Sequence, residues 1–189
     1  MNDYKRRALE LLNTYIKNQG LVKHNLAAGA LMKALAHHYG KGEEADLWEL
    51  AGLVHDLDWE MTQSEPEKHT EPAAEILRGE NFPPEVIEAV YRHNFHANHP
   101  APETLMEKAL YYTEEVTGLI VAAALVLPSK KIADLTVDSV MKRFKERSFA
   151  RGVDRELLIE MEEKLGLKVE ELIKIALPAL RGIHEELGL

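Results

Sequence analysis

The residues Ala51-Gly52-Leu53-Val54-His55-Asp56 bring an imidazole and a carboxylate to the end of a very apolar segment. A charged group without a partner costs free energy in such surroundings, so the pair is expected to meet a metal ion, a cation or hydrogen-bond donors. Apolar residues before the pair recur at helical spacing, namely Leu47, Leu50, Leu53 and Val54. We therefore predict a helix over residues 43–57 that ends in this pair.

Helical periodicity continues along the rest of the chain, and no segment shows sustained period-two alternation. Glycines and prolines separate the periodic segments, and the polar segment 58–70 is predicted to be a loop. Further helices are predicted over residues 4–16, 22–38, 71–77, 84–95, 103–127, 137–147, 154–165 and 169–187. These features predict an all-α protein, a compact single-domain bundle of about eight or nine helices.

Length and composition narrow the classes of protein to consider. The chain has 189 residues and no cysteine, which favours one domain and excludes disulfides, iron–sulfur clusters and thiol nucleophiles. The net charge of −9 disfavours binding to a nucleic-acid polymer, which needs a broad basic face. Since the longest uncharged run, residues 116–129, is too short to span a bilayer, we expect no membrane association and a cytoplasmic location.

Other candidate metal ligands lie on different predicted helices or at their edges. They are His24, His69, His93 and the acidic residue Glu114. A helical bundle can direct such side chains towards one interior point, as in other carboxylate and imidazole sites. A purely structural role for His55 and Asp56, a solvated His69 and a surface position for His24 remain alternatives at this level.

The order His, His-Asp, His, His, acid resembles the HD superfamily of metal-dependent phosphohydrolases. Residues 53–60 (LVHDLDWE), 109–124 (ALYYTEEVTGLIVAAA) and 142–153 (KRFKERSFARGV) are more narrowly similar to small stand-alone bacterial and archaeal HD hydrolases. The resemblance implies an HD-type helical bundle over residues 1–189. Its metal-site core would cover about residues 20–127, with the C-terminal helices of residues 137–189 packed on it.

The resemblance also implies a ligand set for one or two divalent ions per chain, drawn from Mn, Fe, Co, Mg, Ni or Zn. The implied ligands are His24, His55, Asp56, His69, His93 and Glu114, with Asp56 able to bridge two ions. The family pattern has aspartate where this chain has Glu114. Glutamate is an equally hard oxygen ligand, so metal binding can survive the extra methylene group.

Other residues are assigned to catalysis or to the substrate. Asp56 is expected to act in catalysis, and Asp58 and Glu60 could orient a ligand histidine or accept a proton. His96 is a candidate substrate contact. Residues 130–151 hold seven basic residues and three acidic ones, a pattern that fits a solvated helix face or a surface that attracts phosphate. On the second interpretation, Lys142 and Lys145 would bind the substrate.

The function implied is hydrolysis of a small phosphorylated molecule, a class that includes nucleotides, by a metal-activated water molecule. Two alternatives remain open at this level. A minority branch of the HD superfamily resembles this ligand set but consists of di-iron oxygenases. A ligand-binding domain that kept the fold without catalysis is the other alternative. The oligomeric state does not follow from the sequence.

Overall fold

Helices α2 (Gln19–His38) and α3 (Ala45–Val54) form the central pair of the fold, and their backbones touch. A Cβ atom built on Gly52 would lie 2.6 Å from the carbonyl carbon and oxygen of Ala28 and 2.7 Å from the backbone nitrogen of Gly29. Real Cβ atoms do not come so close to backbone, so α3 can approach α2 at this distance only with glycine at position 52.

The computed structural model describes residues 2–95 and 99–189, which form twelve α-helices and no β-strand. In chain order the helices are α1 (Asn2–Tyr15), α2 (Gln19–His38), α3 (Ala45–Val54), α4 (Trp59–Thr62), α5 (Glu71–Gly79), α6 (Pro84–Arg92), α7 (Leu105–Thr113), α8 (Glu115–Leu125), α9 (Val137–Lys145), α10 (Arg155–Leu165), α11 (Val169–Arg181) and α12 (His184–Leu187). The all-α prediction is confirmed.

The described part of the chain has more helices than the eight or nine predicted, because three segments were assigned incorrectly. The predicted loop at residues 58–70 contains α4 and a 3-10 turn at Pro66–Lys68. The single helix predicted over residues 103–127 is two helices that meet at Glu114, and residues 169–187 also form two helices. Periodicity fails at these places because short helices and local interruptions leave no signal in a long apolar window.

Side-chain caps explain where several helices begin. Asn18 caps α2 by accepting a hydrogen bond from the backbone N–H of Gly20 at 2.8 Å. Thr104 and Glu107 form a reciprocal capping box at the start of α7. Asp154 accepts hydrogen bonds from two backbone N–H groups and caps α10. The first two caps fix the start of α2, which carries His24, and the start of α7, which leads to Glu114.

Buried apolar side chains from both ends of the chain belong to one core, which extends from Ala8 in α1 to Leu187 in α12. Helices α11 and α12 pack against α2, so this C-terminal part of the fold lies against one helix of the central pair. Single-domain organisation over residues 1–189 stays a prediction. None of the helices in the described ranges has the length and apolar character needed to cross a membrane.

The contact between α2 and α3 gives a test of the fold. Replacing Gly52 with alanine puts a methyl group against the backbone of Ala28, and we expect the free energy of unfolding to fall by about 1–3 kcal/mol. Gly79, at the end of α5, has open space around it and is the matched control. Gly79→Ala is expected to leave stability unchanged or raise it by at most about 1 kcal/mol. Equal denaturant midpoints for the two variants would contradict this packing.

Candidate metal centre

His55 follows the last residue of α3, and one ring nitrogen is fixed by the backbone. Its Nδ1–H donates to the carbonyl oxygen of Gly52 at 2.9 Å. This hydrogen bond leaves the lone pair of Nε2 free, as a metal-binding histidine requires. The ring is completely buried, and Nε2 lies 3.2 Å from Nε2 of His24 in the facing helix α2.

His24 reaches the same point from α2. Its Nε2 lies 3.2 Å from Oε2 of Glu114 and 3.6 Å from Oδ2 of Asp56. The other ring nitrogen, Nδ1, is 3.4 Å from the hydroxyl of Thr117 in α8. His24 therefore presents one nitrogen to the acidic residues and is positioned through the other.

The two carboxylate oxygens of Asp56 face different imidazoles. Its Oδ2 faces His24, whereas Oδ1 is 3.2 Å from Nε2 of His69, 3.5 Å from Nε2 of His55 and 3.9 Å from Nε2 of His93. The backbone N–H of Asp56 donates to the side-chain oxygen of Asn25 in α2. Asp56 thus offers its two oxygens to different groups of ligands.

Asp58 holds His69 in place from behind. One carboxylate oxygen accepts a hydrogen bond from Nδ1–H of His69 at 2.9 Å, and the other accepts the backbone N–H of Thr70 at 2.8 Å. Thr70 has a φ of +76°, a left-handed conformation uncommon for a residue with a side chain. Since Asp58 is completely buried, its position is that of a residue orienting His69 and not that of a group open to substrate.

His93 and Glu114 complete the cluster from two helix ends. His93 follows α6, and its ring stands edge-on to His55 with ring centres 4.9 Å apart. Glu114 lies where α7 meets α8. Among the described residues, Nδ1 of His93 and Oε2 of Glu114 are buried polar atoms without a directed hydrogen bond. Such atoms are costly unless a ligand satisfies them.

The pKa values reflect the crowding of charge. Burial alone would lower the pKa of His24, but Glu114 and Asp56 outweigh it and raise this pKa to about 9. At His69, burial again lowers the pKa, but Asp56 and Asp58 outweigh it and raise the pKa to about 9. Burial and the neighbouring His55 lower the pKa of His93 to about 4. The pKa of Asp56 falls despite burial, because His55 and His69 favour its charged form.

These donors fit divalent metal ions. The six side chains form three overlapping groups, and within each group the possible ligand atoms lie within 4.8 Å of one another. The groups are His24, His55 and Asp56; His55, His93 and Glu114; and Asp56, His69 and His93. Nitrogen and carboxylate oxygen suit first-row divalent metals such as Mn, Fe, Co, Ni and Zn. The six ligands predicted from the sequence therefore lie together, with Asp56 common to two groups.

The remaining predicted residues lie elsewhere. The carboxylate of Glu60 accepts hydrogen bonds from the backbone N–H groups of Asn18, at 2.7 Å, and Lys17, at 3.1 Å, so it caps the start of α2. Lys142 and Lys145 are exposed on α9, and neither belongs to the described lining of the cleft over the cluster. His96 lies outside the described residues.

Sequence analysis missed the residues that support the ligands, above all Asn25 and Thr117. Each is a polar side chain on an otherwise apolar helix face, and each is buried beside a ligand. That interruption of an apolar face is the signal that could have identified them. Thr70, whose N–H binds Asp58, carries no comparable signal because its left-handed backbone is not readable from its residue type.

A cleft of about 450 Å³ opens over the cluster. One side carries Trp59, which is 38% exposed and stands edge-on to the His69 ring. Leu21 and Tyr111 add apolar surface, while Glu115 and Asp154 contribute carboxyl groups. No lysine or arginine belongs to the described lining, so the only basic side chains among these lining residues are histidines of the cluster.

The fold and this cluster define a class of protein, a helical domain with a buried centre of histidine and carboxylate side chains that could hold a metal ion. The chain matches the HD domain family over residues 21–125, more than half of its length, and it belongs to that family. HD domains are in general metal-dependent phosphohydrolases. The match begins in α2 and ends with α8, so it contains all six candidate ligands.

One curated protein with detectable similarity is Ribonuclease Y from Sulfurovum sp. (strain NBC37-1). The two sequences are 28% identical over 144 residues, which cover 75% of this chain and 27% of the relative. The matched region is thus about a quarter of the length of that protein. The search of solved structures found no match.

The raised pKa values predict how metal affinity depends on pH. At neutral pH the metal-free His24 and His69 carry protons, and a metal ion must displace them. Affinity for Mn²⁺ should therefore rise with pH up to about 9, by at most about one decade per pH unit for each proton released, and level off above that. Calorimetry in buffers of different ionisation enthalpy measures both affinity and proton release. Constant affinity between pH 6.5 and 9 would contradict the proposed pKa shifts.

Asp58 and Glu60 make a matched pair of variants. Asp58→Asn removes the charge that holds Nδ1 of His69, and we expect metal affinity to fall about 10–100-fold. Glu60→Gln alters a carboxylate at the start of α2 and is expected to leave metal affinity unchanged. Both are measured by competition with a chelating dye. The orienting role of Asp58 is wrong if its variant binds metal like the wild-type protein.

Proposed function

We propose that this HD domain hydrolyses a phosphoester of a small molecule with divalent metal ions held by His24, His55, Asp56, His69, His93 and Glu114. In the reaction, water oxygen forms a bond to phosphorus, the ester P–O bond breaks, and the leaving oxygen takes up a proton. The products are an alcohol and a phosphate. No protein nucleophile is needed, which agrees with the absence of cysteine from the sequence.

The observation that carries this proposal is the position of the Asp56 carboxylate. One oxygen faces His24 and the other faces His69 and His93, so a single residue is shared between two potential ligand groups. Divalent ions bound there would supply Lewis acidity, which lowers the pKa of a water molecule and stabilises charge on phosphoryl oxygens. A pair of neighbouring ions would need two ligand groups side by side, and Asp56 belongs to two such groups.

The chain's own residues hold this centre rigid. Gly52 and Asp58 accept the Nδ1–H groups of His55 and His69, which directs each Nε2 to the cluster. Second partners of this kind orient metal ligands and raise their basicity. Asn25 secures the backbone of Asp56 in the same way. The ligands are thus prepositioned, so little reorganisation is required when metal or substrate binds.

The cleft wall supports a small substrate with few charges. Glu115 lies beside Glu114, and burial together with that neighbour raises the pKa of Glu115 to about 8. This group and Asp154 suit hydroxyl groups of the substrate better than further phosphate groups. The exposed face of Trp59 can pack against a planar or apolar group.

RNA is the second candidate substrate, because Ribonuclease Y is named for acting on it and resembles 75% of this chain. The net charge of −9 and a described cleft lining without lysine or arginine favour the small molecule. Neutralising an RNA backbone takes many basic contacts, which such a wall does not provide. We therefore propose a small phosphomonoester and not a nucleic-acid polymer as the substrate.

The test combines metal analysis with a substrate panel. The wild-type protein is loaded with Mn²⁺, Co²⁺, Ni²⁺, Mg²⁺ or Fe²⁺ and assayed for phosphate release from sugar phosphates and nucleoside monophosphates, and for cleavage of a single-stranded RNA. We expect one or two ions per chain and phosphate release from monoesters. RNA cleavage alone would establish the second candidate. Oxygen-dependent turnover of an iron-loaded protein without phosphatase activity would identify an oxygenase and overturn the proposal.

Asp56→Asn keeps the size of the side chain but removes its charge and one acceptor oxygen. Since both ligand groups lose their shared carboxylate, we expect activity to fall at least about 100-fold, a loss of about 2.7 kcal/mol of transition-state stabilisation. Asp138→Asn, at an exposed position on α9, is the control and is expected to match the wild-type protein. Circular dichroism checks that both variants fold. Full activity of the Asp56 variant would disprove the site.

A further inference from the structure

Helices α2 and α8 separate on the far side of His24 and leave a second cavity of about 280 Å³. Its described lining is largely apolar and includes Ala27, Val121 and Leu125, with Leu187 and Leu189 at the C-terminal end of the chain. Leu125 is 50% exposed, so the cavity can be reached from solvent. The residues of the metal cleft do not line this cavity, except for His24.

The cavity is open to solvent, and it leaves apolar side chains of α2 and α8 without protein neighbours on one side. Apolar surface left in this way gains free energy when an apolar group covers it. An apolar cavity of about 150 Å³ in another protein stays dry and binds benzene. By that comparison, the volume here suits an apolar group of about eight to twelve carbon atoms.

One charged side chain, Lys23, lies on the wall of this apolar cavity. Its Nζ is close to Gly188, the residue between the two leucines of the lining at the C-terminal end. In the described part of the chain Lys23 makes no ion pair. Gly20, in the first turn of α2, lines the same cavity.

We propose that this cavity binds a small amphiphilic anion, with its apolar body between α2 and α8 and its single carboxylate or phosphate head at Lys23. The ligand would contact His24 and Thr117 on the side of the ring that faces away from Asp56. Its binding is separate from hydrolysis, so it can be tested whether or not the proposed activity is correct.

The test is calorimetric titration of the purified full-length protein with octanoate, octyl phosphate and neutral octanol. Octanoate or octyl phosphate should bind at least 10-fold more tightly than octanol, and whichever binds better identifies the head group. Lys23→Met should remove this preference, and the matched control Lys174→Met, at an exposed position on α11, should keep it. Equal affinity for octanol and the two anions in the wild-type protein would overturn the proposal.

A second variant tests the apolar part of the cavity. Val121→Phe places a larger side chain into the cavity and should weaken binding of all three probes at least 10-fold, while Ile159→Phe, at an exposed position on α10, should not. Octyl phosphate is also titrated into Asp56→Asn, where binding must persist if the cavity and not the metal cleft holds it. No measurable binding of any probe to the wild-type protein at millimolar concentration would disprove the site. This outcome does not depend on whether Val121→Phe folds.

Discussion

The close contact between the backbones of α2 and α3 is the constraint on which the rest of the structure depends. Gly52 lies against Ala28, and His55 and His24 are each about one helical turn from that contact. Because both helices are rigid, fixing the contact also fixes the imidazoles, whose Nε2 atoms lie 3.2 Å apart. The carbonyl group of Gly52 also accepts Nδ1–H of His55, so the same residue sets the spacing and the ring orientation.

The cluster concentrates charge where a folded protein usually avoids it. His55, Asp56 and Asp58 are buried, and Oε2 of Glu114 has no directed hydrogen bond among the described residues. A core chosen for stability alone would hold apolar side chains here, since buried polar groups without partners cost free energy. Such local conflict with stability is expected at functional sites, and it agrees with membership of the HD domain family.

Glu114 shows how backbone irregularity and chemistry coincide. It lies where α7 ends and α8 begins, and its carbonyl oxygen accepts the N–H of Thr117, three residues later, at 2.9 Å. Thr117 in turn approaches Nδ1 of His24. The side chain of Glu114 itself reaches His24, with Oε2 3.2 Å from Nε2. Interruptions of this kind inside helices are often associated with functional sites.

The sequence by itself determined the helical class, because apolar periodicity is a local property of the chain. The candidate ligands followed from the order of the histidines and acidic residues and from the resemblance to the HD superfamily. It could not determine which polar residues would meet. Asp58 and Glu60 look alike in sequence, yet one orients His69 in the core and the other caps α2 at the surface. Lys142 and Lys145 were predicted to contact substrate but lie outside the described cleft lining. Only the packing of helices decides these roles, since distances between side chains depend on contacts far apart in the chain.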